Sequence, residues 1–398
     1  MYTRSCKPLL SNSFFVFGGR GTGKTTLLKA LLPPGANILW VNLLDSVLYQ
    51  KLVARPQLFF EMIPSHFGEN SWVVADEIQR IPELLNAVHR LIEDRKIKFA
   101  LTGSSARKLK RGSANLLAGR AFLNSLFPLS VEELGSDFNL DFILNWGSLP
   151  QVFSYSDDIS RSEYLNAYVA SYLKEEIKEE QVVRQLDPFV RFLETAGQSN
   201  GQIINAAKIA RDAGTDTKSV LRYFQILEDT LVGFFLEPFH TSVRKVQTAK
   251  SKFYLFDLGV KKSLERTLQS PHIPGTYAYG KAFEHFFIME CKKRQSYQRR
   301  SDRFYYLRTK DNVEIDLLIE RSRSELIAVE IKSSEKVDGT DLRSAISLSK
   351  DLKVKRFIVA SREPAARRVD GIEILPWRQA LEELYPTQGA AQVRGADE

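Results

Sequence analysis

Residues Phe14 to Leu28 read FFVFGGRGTGKTTLL. Phe14, Phe15, Val16 and Phe17 are an apolar run that predicts a buried strand. Leu27, Leu28, Ala30, Leu31 and Leu32 follow at helical spacing. Between the two lies a GxxxxGKT loop, opened by Gly18 and closed by Gly23, Lys24 and Thr25. Strand, glycine loop and helix are the context in which such a loop holds phosphate. Gly18, Gly21 and Gly23 let the backbone curl until several N–H groups converge at a helix N-terminus and form a concave nest for an anion. Gly18, Gly19, Arg20, Gly21, Thr22, Gly23, Lys24, Thr25 and Thr26 are therefore the candidate nucleotide-binding residues. Lys24 supplies charge for the β- and γ-phosphates, and the Thr25 hydroxyl is a ligand for Mg²⁺. The plain alternative is a glycine turn joining a strand to a helix.

A second element lies about fifty residues on. Ser71 to Gln79 reads SWVVADEIQ, a short apolar strand with Asp76 and Glu77 at its carboxyl end. Ligands of open α/β sheets bind at that end of the strands. Asp76 is the candidate Mg²⁺ residue, and Glu77 the candidate base that orients or deprotonates the attacking water. The alternative for Asp76 is an N-cap on the following helix. A third strand, KFALT, ends at Thr102, which is either a sensor of the γ-phosphate or a turn cap. Further on, Leu117-Ala118-Gly119-Arg120 offers Arg120 as an arginine finger, in cis or from a neighbouring subunit, or else as a surface residue.

Taken in order, GGRGTGKTT, VVADEIQRIPELL, LTGSSARKL and LAGRA resemble a bacterial and archaeal AAA-type P-loop ATPase family. The resemblance extends over roughly residues 10 to 380. It implies an AAA+ P-loop core with a strand inserted between the two nucleotide-site strands. It also implies a helical lid-like element after the core and a poorly characterised, nuclease-like C-terminal half. It implies no substrate.

Bulk properties limit the remaining choices. The chain has 398 residues, enough for two or three domains, with 43% apolar and 26% charged residues. A net charge of +8 is compatible with nucleic acid or an acidic partner without requiring either. Cys6 and Cys291 give no disulfide framework, which fits a reducing cytoplasm. The start MYTRSCKPLL is too short and too charged for a signal peptide, and no apolar run is long enough to span a bilayer. The five histidines, His66, His89, His240, His272 and His285, have no metal-ligand spacing.

The expected organisation is α/β: a P-loop core over 1–130, a helical lid-like linker over 131–185, a winged-helix-like module over 186–245, a restriction-endonuclease-like α/β domain over 246–385 and a mobile tail over 386–398. In the linker, Tyr164 to Val183 predicts one long helix whose Lys174–Glu180 stretch is a solvated face. In the third unit, TKSVLRYFQILE (Thr217–Glu228) predicts a helix with Lys218, Ser219 and Arg222 exposed as in a recognition helix, and Leu231–Leu236 a wing strand. Packing alone is the default for such a unit.

The last third carries a looser constellation. Glu284 lies in a predicted helix, Asp316 in a strand, and Glu330-Ile331-Lys332 in a further strand fourteen residues after Asp316. This is the order of a PD-(D/E)xK nuclease. Strand alternation puts Glu330 and Lys332 on one face and Ile331 in the core. Asp316 and Glu330 are candidates to share Mg²⁺, with Lys332 positioning the water. Cross-strand acid–base pairing is the ordinary alternative. No proline precedes Asp316, and no second catalytic lysine stands out. Lys292, Lys293, Arg294, Arg299, Arg300 and Arg303, interleaved with Tyr297, Tyr305 and Tyr306, form a basic cluster that is either a nucleic-acid patch or a solvated loop. A shorter basic run is Arg107, Lys108, Lys110 and Arg111.

These readings give an ATP- and Mg²⁺-dependent hydrolase coupled to winged-helix and nuclease-like modules, with DNA, a protein partner or a second copy of the chain as candidate partners. The competing class is an ATP-dependent switch for a protein partner, with the nuclease-like fold inactive.

Overall fold

The computed structural model describes residues 1–105, 117, 119–173, 186–240, 250–309, 313–322, 325–338, 346 and 354–387. The first unit contains β1 (Ser13–Phe17), α1 (Lys24–Leu31), β2 (Asn37–Asn42), α2 (Ser46–Ala54), α3 (Leu58–Met62), β3 (Ser71–Asp76), α4 (Leu84–Arg95), β4 (Lys98–Gly103) and β5 (Ala121–Ser125). The strands form one sheet in the order β2-β3-β4-β1-β5, parallel throughout. β4 is thus inserted between the strand entering the glycine loop and the strand bearing the acids, as the resemblance implied.

A parallel sheet is covered on both faces, so its strands read as apolar runs. β1 and β3 are buried at every residue. Phe15, Phe17, Val73, Ala75, Phe99 and Leu101 share a core with Leu84, Leu85 and Val88 of α4. Phe14, Val16, Trp72, Val74 and Ala100 pack with Leu27 and Leu28 of α1. Because the strands are parallel, the carboxyl ends of β1, β3 and β4 share one edge of the sheet. Residues just before β5 lie at the other edge, since Ser13 pairs with Ala121 and Phe17 with Ser125.

The middle of the chain contains α5 (Val131–Leu134), α6 (Leu140–Trp146), α7 (Asp158–Ala167), α8 (Leu186–Gln198), α9 (Ala206–Ala213) and α10 (Thr217–Asp229). The helix expected from Tyr164 starts earlier, where the Asp157 side chain caps Ser160 N, and passes into a π-helical turn at Tyr168–Leu173. Lys174–Glu180 lies outside the described residues, as does the basic run at 107–111. Val131, Leu134, Ile143 and Leu144 join the C-terminal core, whereas Trp146, Leu149, Leu165 and Tyr168 pack with Phe189, Phe192 and Phe224 of the three-helix unit. Residues 131–168 therefore divide between two neighbouring cores.

The C-terminal part adds β6 (Gly233–Pro238), β7 (Lys252–Leu255), α11 (Leu258–Leu264), α12 (Tyr277–Tyr297), β8 (Arg303–Arg308), β9 (Glu314–Ser322), β10 (Glu325–Ile331), β11 (Arg356–Ser361), β12 (Arg367–Val369), β13 (Ile372–Pro376) and α13 (Trp377–Leu384). Its sheet runs β12-β13-β11-β10-β9-β8-β6-β7. The expected wing strand is β6, paired with β7 on one side and, at Glu237 and Pro238, with β8 on the other. It is an internal strand of this sheet. Pro386 and Thr387 are tied down by Gln298 and Glu382, and residues 388–398 lie outside the described part.

The basic cluster around α12 is divided: Lys293 and Arg294 are buried, whereas Arg299 and Arg303 are exposed. Lys293 is buried between Glu290 (2.7 Å) and the Leu129 carbonyl (2.8 Å). Arg294 is buried between Glu132 (2.9 Å) and Glu382 (2.8 Å). The Lys292 ammonium sits 4.8 Å over the Phe234 ring. Tyr297 OH accepts from Phe127 N, and Tyr306 OH donates to the Lys250 carbonyl. Sequence spacing alone does not distinguish charges that bind an external anion from charges that join α12 to its neighbours.

Candidate functional site

The first site is built where β1, β3 and β4 end. After Phe17 the chain passes so close to the strand leaving β5 that a Cβ on Gly18 would lie 2.3 Å from the Leu126 carbonyl oxygen. Gly23 has φ 93°, a left-handed backbone that favours glycine, and α1 starts at the next residue. Lys24 is buried, donates to the Gly18 carbonyl at 3.0 Å and pairs with Glu77 at 3.4 Å. The Thr25 hydroxyl donates to Asp76 Oδ2 at 2.8 Å. Loop and acids, about fifty residues apart in sequence, thus meet side chain to side chain.

Glu77 sits at φ 60°, ψ 48°, a left-handed conformation that costs a non-glycine residue about 1–2 kcal/mol. The turn takes its side chain out of the strand register, towards Lys24 and Gln79. Gln79 donates to Glu77 at 2.5 Å and to Ser104 at 3.0 Å. Burial disfavours the Glu77 carboxylate, but the Lys24 ammonium and hydrogen bonds from Gln79, Lys24 and Ser104 outweigh it and hold the carboxyl below its ordinary range. An ionised Glu77 is the form a base needs.

Thr102 is fully buried. Its hydroxyl donates to Asp76 Oδ1 and accepts from Glu77 N at 3.0 Å. It holds the two acids; Ser104 and Ser105 follow it in the chain. Gln79 and Ser104 were not singled out from sequence, although both lie within the quoted motifs. Their role depends on a contact across 25 positions that no local pattern encodes.

Arg120 stands at the opposite edge of the sheet, before β5, and pairs with Glu93 of α4. Five residues of strand at about 3.3 Å each separate it from the end of β1. It therefore does not reach this chain's own glycine loop.

Thr25 and Asp76 supply hard oxygen donors in contact with each other. This set fits Mg²⁺, which usually keeps several waters and takes its remaining ligands from phosphates. Among the described residues no group of three or more His, Cys, Asp or Glu side chains is disposed to hold a metal ion. Beside the loop is a cavity of about 660 Å³, lined by Arg4, Gly23, Thr26, Leu27, Leu31 and Pro150 among others.

The second constellation assembles in the C-terminal sheet. Asp316 on β9 accepts from Ile331 N at 2.9 Å, next to Glu330 on β10. Lys332 pairs with Glu330 at 2.8 Å. Glu330 Oε2 is buried without a hydrogen-bond partner. Glu284 on α12 is saturated: Tyr254 OH donates to it at 2.6 Å, and Lys252 (3.4 Å) and Lys281 (2.6 Å) pair with it. Lys252 also pairs with Glu314 at 2.5 Å. Burial, then the Glu330 and Glu284 carboxylates, push the Asp316 carboxyl well above its usual range. Burial likewise raises Glu330, against the pull of Lys332. Glu284 is held low despite its burial by Lys252 and Lys281. Lys252, Lys281, Tyr254 and Glu314 were missed from sequence; a lysine inside the buried strand KFYL was the one available signal.

His285 packs. Its Nδ1 meets Asn200 at 3.1 Å and its Nε2 the Leu255 carbonyl at 2.6 Å, and burial lowers its pKa to about 3. On α10, Ser219 is committed to the Asp216 cap, while Lys218 and Arg222 are exposed. No helix among the described residues is long and apolar enough to cross a membrane.

Three family models match in succession: an "AAA domain" over residues 11–135, a "Domain of unknown function (DUF8612)" over 137–270 and a "Domain of unknown function (DUF4143)" over 279–380. The chain is similar to an uncharacterized protein of Mycobacterium tuberculosis, 26% identical over 310 residues, covering 77% of this chain and 67% of that one. It is also similar to an uncharacterized protein of Haemophilus influenzae, 22% identical over 388 residues, covering 90% and 92%. Among solved structures it is similar to the Aeropyrum pernix ORC1 protein in complex with DNA, with 13% identity, a TM-score of 0.27 and coverage of 64% and 86%. Likeness at that score carries no inference about this chain. The AAA match and the β2-β3-β4-β1-β5 sheet agree that the first third of the chain is a P-loop domain of AAA type, followed by regions similar to domains of unknown function.

Proposed function

We propose that the chain binds ATP with Mg²⁺ at Gly18–Thr26 and hydrolyses it. Thr25 and Asp76 hold the metal, Lys24 binds the β- and γ-phosphates, and Glu77 activates the water. The carrying observation is the convergence of these four side chains through the Thr25–Asp76 contact at 2.8 Å and the Lys24–Glu77 pair at 3.4 Å. Lys24 would leave Glu77 for the phosphates when nucleotide enters. The apolar wall of the cavity beside α1 suits the base. Arg120, remote from its own loop, suits a finger offered to a second copy of the chain.

In the same reading, α8–α10 with β6 and β7 form a winged-helix-like unit. α12 with β8–β11 forms a PD-(D/E)xK-like domain, and nucleotide turnover shifts these units against the core. DNA is the partner this predicts. Asp316 and Glu330 would hold Mg²⁺, and the unpartnered Glu330 Oε2 supports this as an acceptor awaiting a cation. One observation favours the second reading, an ATP-dependent switch for a protein partner: Lys252, Lys281 and Tyr254 already occupy Glu284.

The test is Mg²⁺-dependent phosphate release from ATP, with and without DNA of several forms, by wild type, Glu77→Gln and Lys332→Ala. Turnover lost in Glu77→Gln with ATP binding retained supports the first assignment; a wild type that turns over no ATP in any condition sinks it. Cutting lost in Lys332→Ala selects the nuclease reading, and ATP turnover with no cutting of DNA or RNA selects the switch.

A further inference from the structure

The glycine loop is braced from outside at two alternate carbonyls. Tyr168 OH donates to the Arg20 carbonyl at 2.9 Å, and Arg4 Nη1 donates to the Thr22 carbonyl at 2.6 Å. Among the described residues no peptide bond is cis. In a planar trans peptide the N–H points opposite to the C=O of the same unit. Carbonyls turned out to Tyr168 and Arg4 therefore turn the next N–H groups, those of Gly21 and Gly23, away from these side chains and into the loop. Gly21 (φ 76°) and Gly23 (φ 93°) have the backbone that this alternation requires. Inward N–H groups are what an anion nest is made of.

We propose that Arg4 and Tyr168 are positioning residues that preform the phosphate nest by fixing the Arg20–Gly21 and Thr22–Gly23 peptide planes. The proposal rests on the nucleotide reading above and assigns the nest to struts outside the motif.

Both struts are themselves held. Tyr168 is 1% exposed and its ring packs against Tyr164 and Phe256. Arg4 also donates to the Phe127 carbonyl at 2.6 Å and pairs with the buried Glu133 at 3.1 Å. Glu133 in turn accepts from Ser5 N and Ser130 N. One planar guanidinium serves two carbonyls and an ion pair at once, and an ammonium does not reproduce that fork. The struts arrive from two directions. Arg4 precedes β1, and Tyr168 lies in the π-helical turn after α7, packed with the three-helix unit. A shift of that unit would release the Arg20–Gly21 plane, so the loop's affinity for phosphate depends on where the unit sits. Without the struts the loop must order itself on binding, at a cost to affinity.

The test is equilibrium binding to the full chain of a fluorescent ATP analogue, displaced by ATP and by adenosine, for wild type, Tyr168→Phe and Arg4→Lys. Tyr168→Phe keeps the ring and its packing and removes one hydrogen bond. It is expected to weaken ATP about fivefold, the equivalent of a hydrogen bond of about 1 kcal/mol. Arg4→Lys is expected to weaken ATP about tenfold. Adenosine, which has no phosphate for the nest, should bind wild type and Tyr168→Phe equally. Unchanged ATP affinity in both variants, or equal losses for ATP and adenosine in Tyr168→Phe, overturns the proposal and leaves the nucleotide reading standing. A wild type that does not bind the analogue overturns both.

Discussion

Two regions of this chain use the same side chains, lysine with paired acids at strand ends, and arrive at different electrostatic states. In the first, Lys24, Asp76 and Glu77 meet at the carboxyl ends of the strands of a parallel sheet. The Glu77 carboxyl is held low and ionised. In the second, Glu284, Glu314, Asp316 and Glu330 are gathered with Lys252, Lys281 and Lys332. Three ammonium groups face four carboxyls. The Arg308 guanidinium adds a fourth cation 3.9 Å from Glu314, and the Asp316 carboxyl is pushed up by burial and by its acidic neighbours. Residue type therefore does not identify a reactive site. What separates the two is the state of the carboxyls: Glu77 is held low by Lys24 and its hydrogen bonds, whereas Asp316 and Glu330 are raised by burial and by neighbouring acids.

The comparison breaks most sharply at Lys24. Lys24→Ala removes the charge proposed above to bind the β- and γ-phosphates, and ATP turnover should fall at least a hundredfold, measured by phosphate release. Lys332→Ala, in the C-terminal cluster, should leave that turnover within a factor of two.

Glu284→Gln probes the second region directly. It strips the partner from two lysines, one of them fully buried, and should cost about 3 kcal/mol of stability. Urea denaturation followed by fluorescence measures this; an unchanged midpoint would mean that Lys252 is satisfied by Glu314 alone.

Thr102→Val sharpens the first region. It keeps the volume of a fully buried side chain and removes the hydroxyl that joins Asp76 to the Glu77 amide. Turnover should drop about tenfold with KM little changed, the mark of a group that positions the acids rather than binding substrate.

The smallest effect belongs to Asp316→Asn, because a carboxyl whose charged form is disfavoured by burial and acidic neighbours loses little by becoming an amide. The sign of its pH dependence is fixed. A carboxyl whose folded pKa is raised above its unfolded value contributes stability at low pH, and that contribution is lost as pH rises through the folded pKa. Melting temperatures from pH 4 to 9 should decline towards the alkaline end in wild type and decline less in Asp316→Asn. Parallel curves would show that Asp316 does not carry this pH dependence.

Much of the first unit was legible because its signals are local. The glycine loop needs glycines at fixed offsets between a strand and a helix, and β3 needs an apolar run ending in acids. In each case neighbouring residues carry the whole pattern. The order Glu284, Asp316, Glu330, Lys332 was readable for the same reason, since strand alternation sets the face of each side chain. The basic cluster on α12 misled because charge in a sequence has no direction. Burial turned Lys293 and Arg294 inward to Glu290, Glu132 and Glu382, each supplied by packing.

Sequence by itself determined which backbone can curl around phosphate, which strands are buried on both faces and which acids sit at strand ends, because steric freedom and hydrophobic periodicity act over a few neighbouring residues. Tertiary structure alone decided that Thr102 supports the acids, that Arg120 faces away from its own loop, that Lys252 enters the C-terminal cluster, and that Arg4 and Tyr168 brace the glycine loop. Those outcomes depend on contacts across tens to more than a hundred residues, where hydrogen-bond geometry and burial choose among partners that the local chain does not name.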